Sequence, residues 1–510
     1  MDFRKILTKQ HQRDLKLLDY FYTNDFAVDE VLLQQRFSLS NNLLQKNFSR
    51  LSECCPGLNF SRSNGHYLMS RLDAIGYDGL CLTYLSKTSE VKLLRHLFLE
   101  DCQTQTDCAD AVFISVSHAN RILLKIQKMF SEYGVTLINK PMRLAGNERF
   151  LRHFYIRFFS ETGGLKTEHC FVSPQVLSEM DSLLADFLHH HKIPENHYRH
   201  SKLLLSMAIG WQRNHCGQLL FNGSWQHPYF DDPALFLKKD PERASMTAFQ
   251  QLSSQSADLL WLCYANCCLL SHEHYQKVTE TDQELSVLKK QITGFLSQTV
   301  SQRKLAYTDT HLEKITYGFL QENTAFRPQS DLVRIFRHPT DSFLSRAAAF
   351  YPHGTNQIRR ELEKFLHKEK LAVSPQLKEY LLFYLMKEIP EIICGTLPLK
   401  ILVMSDLTDG HDRHMAVRLQ ELMGRNLSFE TIPAAYFTDE KLNVFLGGFD
   451  LIIATFSPEA ALMHHPFWLM DPFLNYHDLD LLHQKLQQMR QEKVLWQLED
   501  PSISDFPEVF

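Results

Sequence analysis

No stretch of this 510-residue chain carries the roughly 18 consecutive apolar residues that a membrane span needs. The longest candidate, Leu259 to Leu270, is too short and is interrupted by Asn266. The opening segment, MDFRKILTKQHQRD, alternates charge and lacks the apolar centre of a secretory signal. The chain therefore reads as cytoplasmic, with no membrane partner. Its 11 cysteines form an odd set with no repeating spacing, which argues against a disulfide framework and for buried small hydrophobes in a reducing compartment. Cys263, Cys267 and Cys268, followed by His272 and His274, lack a second Cys-x-x-Cys pair and lie in an apolar, helical run, so no metal is assigned. Nucleophile elbow, Walker sequence, zinc-protease motif and kinase set are all missing. Nothing calls for a cofactor, and an enzyme is not expected.

What is present is ordinary globular composition, 44% hydrophobic and 22% charged, enough for three or four domains at about 150 residues each. The charge is uneven. Residues 1–160 hold 21 basic against 16 acidic side chains, and 111–160 hold 8 against 2, on a chain whose formal charge is −5. A basic front on an acidic body points to a polyanionic partner.

The first 70 residues read as three helices and a hairpin. Leu15, Leu17, Leu18, Phe21 and Tyr22 form one helical stripe, and Val28, Val31, Leu32 and Phe37 a second. Ser40 is placed to cap a third helix carrying Leu43, Leu44, Phe48 and Leu51. Asn64-Gly65 between short apolar segments predicts a hairpin wing. On the third helix Asn41, Asn42, Gln45, Lys46, Ser49 and Arg50 form the polar set, and the wing adds Arg62 and Asn64. Asn and Gln can pair with adenine edges, and Arg reads guanine or holds phosphate. A plain solvated helix face has the same appearance.

The same grammar recurs. Val91, Leu94, Leu97 and Phe98 mark a helix; Ala109, Val112 and Phe113 mark a short second one. Ile114-Ser115-Val116-Ser117 turns into a long helix with Ile122, Leu123, Ile126 and Phe130 that ends near Gly134. VTLINKPMRLAG alternates as a strand pair around Lys140-Pro141. The candidate contacts are Ser115, Ser117, His118, Asn120, Arg121, Lys125 and Lys128, with Lys140 and Arg143 on the wing and Arg149 and Arg152 just behind it. Two winged units in tandem, the second clearly basic, favour double-stranded DNA as partner.

From about 170 to 395 the pattern is helical, in two stretches of similar length rich in Leu, Phe and His. Near Pro398 the period changes. LKILVM, LSFETI and DLIIATF are strand-like, Met415 to Met423 and Leu481 to Met489 are helical, and the alternation argues a small parallel α/β domain. The loop SDLTDGHDRH is not a glycine-rich phosphate cradle; Asp406, Asp409 and His411 could be read as a cation site, but a solvated loop is the plainer reading.

This order of modules resembles the Mga/AtxA-type regulators of Gram-positive bacteria, most specifically from Ile114 through Arg152 with LAGNERFLR after the wing. The resemblance implies a mainly α multidomain protein: winged helix-turn-helix units over 1–70 and 71–165, helical phosphotransferase-system regulation domains (PRDs) over 170–285 and 290–395, and an enzyme-IIB-like α/β domain over 398–495. It implies a transcription regulator of virulence or carbohydrate-linked genes, self-associating through its C-terminal half. It also implies phosphocarrier partners that modify PRD histidines, for which His200, His274, His311 and His367 are the candidates. By the same resemblance the two recognition helices contribute Asn41, Gln45, Lys46, Arg50, Ser117, His118, Arg121 and Lys125. The IIB-like domain departs from the enzyme: the strand ends at Met404-Ser405 and the nearest cysteine, Cys394, precedes it. A retained scaffold fits better than phosphotransfer. An RNA antiterminator with PRDs would need a strand-rich module first, and a phosphocarrier enzyme would need the acceptor cysteine.

Overall fold

The computed structural model describes residues 3–23, 26–71, 76–165, 170–193, 196–220, 256–262, 272–303, 305–325, 335–336, 339–371, 373–394, 399–408, 410–423, 427–432, 439–456, 465–475, 478–486 and 488–489. The reading of Cys263, Cys267 and Cys268 falls outside these residues, as does Asp409 of the candidate cation loop. No described helix is long and apolar enough to cross a membrane. The chain divides into two units, one comprising Met1–Ser297, Thr308–Arg346 and Glu363–Tyr384, the other Gln298–Tyr307, Ala347–Leu362 and Leu385–Phe510. The helices expected over 290–395 are thus shared between them.

In the first unit, α1 (Lys9–Thr23) buries Leu15, Leu17, Leu18 and Phe21, the stripe its spacing predicts. The chain then departs from the sequence reading. Val28, assigned to the second helical stripe, lies in a short strand, β1 (Ala27–Asp29). Asp29 ends that strand and caps α2 (Glu30–Phe37), its carboxylate accepting from the Leu32 amide at 2.9 Å. Val31 and Leu32 are exposed at 58% and 56%, so the expected stripe of α2 reduces to Leu33 and Phe37. Ser38 takes a left-handed conformation and reverses the chain into α3 (Asn41–Cys54). Ser40 holds the cap position without a side-chain hydrogen bond. β2 (Leu58–Ser63) and β3 (His66–Arg71) form the predicted hairpin, with positive φ at both Asn64 and Gly65. β1 joins it, giving the order β1-β3-β2.

A helix that the periodicity does not announce, α4 (Tyr77–Ser86), leads into the second winged module. This consists of α5 (Ser89–Leu99), α6 (Gln105–Val112), α7 (Val116–Ser131), β4 (Val135–Asn139) and β5 (Met142–Gly146). Thr104 and Asp107 cap α6 reciprocally. Ser115 caps α7, accepting from the His118 amide at 3.2 Å. Phe113 is corrected too: it is no part of the α6 stripe but the left-handed residue that ends the helix, 92% exposed. α8 (Glu148–Thr162) follows, capped by Asn147, and packs an aromatic cluster against α7 in which the Phe130 and Phe154 rings lie 4.7 Å apart.

Helices α9 (Pro174–His190) and α10 (His197–His215) continue this unit. Further helices span His272–Thr281, Gln283–Gln302, Asp309–Ala325 and Pro339–Phe350.

The second unit contains an all-parallel sheet of β6 (Leu399–Met404), β7 (Leu427–Thr431), β8 (Leu451–Ala454) and β9 (Phe467–Leu469), in the order β7-β6-β8-β9. Alternate β6 residues feed two cores. Leu399, Ile401 and Val403 pack with Met415 and Leu419 of the helix His411–Met423; Leu402 packs with Leu446 and Ile452. Burial on both faces explains the aliphatic runs 401–403 and Leu451–Ala454. β9 was not legible in the sequence.

Candidate nucleic-acid interface

The face of α7 that points into its module consists of Ala119, Ile122, Leu123, Ile126, Met129 and Phe130. The opposite face leaves Ser115, Ser117, Asn120, Arg121, Lys125 and Lys128 exposed, with His118 half-buried. Lys125 reaches the Leu7 carbonyl at 3.5 Å, the outer limit of a hydrogen bond. At the wing, Lys140 is exposed at the turn, while Arg143 is half-buried and 3.3 Å from Glu100. The structure therefore keeps Ser117, Asn120, Arg121 and Lys128 together on one accessible side of one rigid helix. That is the arrangement needed for base edges and phosphates to be met together. Phe113 and Val116, 43% exposed, add an apolar edge at the N-terminal end of the helix. Sequence reasoning counted Phe113 as core; its place next to the Ile114-Ser115 turn was the available signal.

The first module is less open. Asn42, Gln45, Lys46 and Ser49 of α3 are exposed. Asn41 is held, its amide donating to Glu30 at 2.8 Å and its carbonyl oxygen accepting from the Tyr67 hydroxyl. Gln45 also reaches Tyr67, at 3.3 Å. Arg62 pairs with Glu30 at 2.5 Å. Arg50 grips Asp14, which is fully buried, through Nε at 2.7 Å and Nη2 at 2.5 Å, and the Tyr84 hydroxyl donates to the same carboxylate. Burial lowers the Arg50 pKa, but the bond to Asp14 more than offsets it and holds the guanidinium above its ordinary value. Arg50 therefore braces α3 against α1 and α4.

Arg152, grouped by sequence with the basic residues behind the wing, is fully buried. It pairs with Glu148 at 3.0 Å and Asp258 at 2.6 Å. Arg213 at the end of α10 meets Glu148 at 2.7 Å and Glu100 at 3.2 Å. Burial pushes the Glu100 carboxyl up, and it stays raised despite Arg213 and Arg143. A buried charge lattice therefore ties the base of the second wing to α8 and α10.

Of the histidine candidates, His200 sits in the first turn of α10 with Nε2 2.6 Å from Asp181 of α9. His311 is exposed, and its Nδ1 lies 3.1 Å from the Thr308 hydroxyl. His367 is exposed near the end of the helix Pro352–Lys368. His274 falls in the helix His272–Thr281, and its side chain is outside the description. At the carboxyl edge of the parallel sheet, Ser405 Oγ lies 2.7 Å from His411 Nδ1, and Asp406 accepts from Thr455 at 3.1 Å.

A three-helix unit with a capped third helix and a two-stranded wing is a winged helix-turn-helix module. Residues 78–159 match the model of the Mga helix-turn-helix domain, from α4 through most of α8. The chain is also 22% identical over 475 residues to a Streptococcus pneumoniae serotype 4 protein named "Putative trans-acting regulator", covering 89% of this chain and 93% of that protein. The chain therefore contains an Mga-type helix-turn-helix domain over residues 78–159 and is similar along most of its length to a protein named as a regulator, both in line with the resemblance read from the sequence.

Proposed function

We propose that this protein binds promoter DNA through α7 and its wing, with α3 as a second point of contact, and regulates transcription rather than catalysing a reaction. The observation that carries this reading is the division of α7 into a fully apolar inner face and an exposed face bearing Ser117, Asn120, Arg121 and Lys128. Asn120 and Arg121 have the donor and acceptor groups for base edges; Ser117 and Lys128 suit phosphates, as does Lys140 at the wing tip. In the first module Asn42, Gln45 and Lys46 take the corresponding roles, while Asn41, Arg50 and Arg62 position them.

The helical middle of the chain is proposed to act as two PRD-like signal-receiving regions over 170–285 and 290–395. His200 is the leading phosphoryl acceptor and His274, His311 and His367 are further candidates. Phosphotransferase-system phosphocarriers would be the donors and virulence or carbohydrate-linked genes the targets. A phosphoryl group adds nearly two negative charges. At His200 it would displace the Asp181 carboxylate and loosen α9 from α10. The α/β domain over 398–495 is read as an IIB-like scaffold through which two copies associate in the cytoplasm.

The test is genome-wide occupancy of the full chain, comparing the parent protein with Asn120→Ala plus Arg121→Ala. Loss of discrete peaks with retained weak, salt-sensitive binding supports α7 as the reader. Unchanged occupancy overturns it.

A further inference from the structure

We infer that the first unit carries a binding site for a small phosphorylated ligand, in a cleft bordered by α1, the end of α2 and the helix Pro339–Phe350. The cleft measures about 910 Å³, in the range of small-molecule sites. Its cations are Arg4, Lys9, Arg13, Lys16 and Arg36, against the carboxylates of Asp19 and Asp341. Asp19 is committed to Arg4, 2.7 Å away. Among the described residues, Lys9, Arg13 and Lys16 have no carboxylate partner within 4.0 Å.

Lys9, Arg13 and Lys16 fall at i, i+4 and i+7 of α1, on one stripe. Like charges at these spacings destabilise an isolated helix. An anion bridging them would relieve that repulsion. Arg36 adds a fourth donor; its guanidinium lies 5.4 Å from the Tyr20 ring centre, which fixes its plane at the cleft wall. The remaining lining is uncharged, with Gln12, Thr23 and Ser345 as hydrogen-bonding groups beside the rings of Tyr20 and Phe37.

This composition favours a compact ligand over duplex DNA. Asp341 in the lining would repel a continuous phosphate backbone, while Gln12, Thr23 and Ser345 offer hydrogen-bonding groups to the hydroxyls of a compact ligand. The expected ligand therefore carries one or two phosphates on a hydroxylated body. Because one wall belongs to the helix-turn-helix module and another to Asp341 and Ser345, all within the first unit, occupancy would fasten these segments together. The inference is independent of the assignment of α7 as reader.

The experiment is calorimetric titration of the full chain with inorganic pyrophosphate and, separately, with fructose 1,6-bisphosphate. The variant is Arg13→Glu with Lys16→Glu, both on the solvent side of α1. Saturable binding by the parent, weakened about tenfold or more in the variant, supports the site, provided the unliganded melting temperature is unchanged. A destabilised variant is replaced by Arg13→Gln with Lys16→Gln, judged by the same titration. Absence of saturable binding by the parent, or equal binding by both proteins, overturns it. So does a variant that loses affinity for all duplexes alike while pyrophosphate and the bisphosphate leave the parent unaffected, since the cleft would then be a DNA-backbone surface.

Discussion

Arg213 Nη2 lies 2.7 Å from Glu148 Oε2, joining the last turn of α10 to the first turn of α8 in surroundings from which the arginine has no exposure to water. The pair does more than fill space. Glu148 also meets Arg152, and Arg213 also meets Glu100, which in turn holds Arg143 on the second wing. Removing one partner leaves the other charged and dry. Arg213→Met is expected to cost about 3–5 kcal/mol of stability, and the double variant Arg213→Met with Glu148→Met less than the sum of the two single changes. Urea unfolding of the four proteins of the cycle measures this. Additive losses would mean the two residues are not coupled.

Two arginines on the two recognition helices should behave oppositely. Arg121 is exposed on α7, so Arg121→Ala should leave the melting temperature within a degree or so while costing about 1–3 kcal/mol in discrimination among DNA sequences. Arg50 is bidentate to buried Asp14, so Arg50→Ala should lower stability by several kcal/mol before any DNA effect is seen. Melting curves and competitive gel shifts on both variants separate the cases. A stable Arg50→Ala protein with weakened DNA binding would reverse the assignment.

Lys128, exposed toward the C-terminal end of α7 and assigned to phosphate, should act through phosphate alone. Lys128→Gln is expected to weaken binding to all duplexes similarly and to flatten the plot of log affinity against log salt by about 0.9. Titrations at several salt concentrations on two unrelated duplexes test this, and a sequence-dependent loss would contradict it.

His153 on α8 gives a pH signature. Burial, reinforced by Lys202, Arg157 and Arg149, pushes its pKa down to about 3 from an ordinary value of 6.5. The unfolded chain takes up a proton there that the folded chain refuses. Stability therefore falls as pH drops below about 6.5 and continues to fall toward 3. His153→Gln should flatten that slope without removing the part contributed by carboxylates. Denaturant midpoints of parent and variant between pH 7.5 and 5 decide it: parallel curves would exclude His153 as a source.

Gly146 closes the second wing with φ +131°, and a Cβ at this position would fall against the Gly134 carbonyl oxygen. Both the backbone angle and the space demand glycine. Gly146→Val should destabilise the wing by more than 1 kcal/mol, seen as lost amide-exchange protection across Val135–Gly146 ahead of the rest of the chain. Full protection in the variant would show that the strand pair tolerates a side chain here.

The sequence carried the local elements well where apolar spacing and turn chemistry agreed. Asn64-Gly65 and Lys140-Pro141 located both wings, and the aliphatic runs at 399–404 and 451–454 located the buried strands. It failed where a residue's role depends on a partner far along the chain. Arg50 and Arg152 look like surface cations until Asp14 and Asp258 are brought to them. Val28 fits a helical stripe only while its pairing with Tyr67 is unknown. Phe113 is apolar by type, but the left-handed turn it occupies turns it outward. Spacing within one element cannot reveal any of these, because each is decided by a second segment or by the backbone angle at one position.

Arg4 anchors the start of the first module to the Phe336 carbonyl, 332 positions downstream, and Phe3 beside it is wholly enclosed. During synthesis at about 5–20 residues per second, that carbonyl emerges roughly 15–65 s after Arg4 does. Until then the module waits with an unfilled seat at its base. A chain cut short before residue 336 would therefore keep the segments of both winged modules and lack the carbonyl to which Arg4 donates.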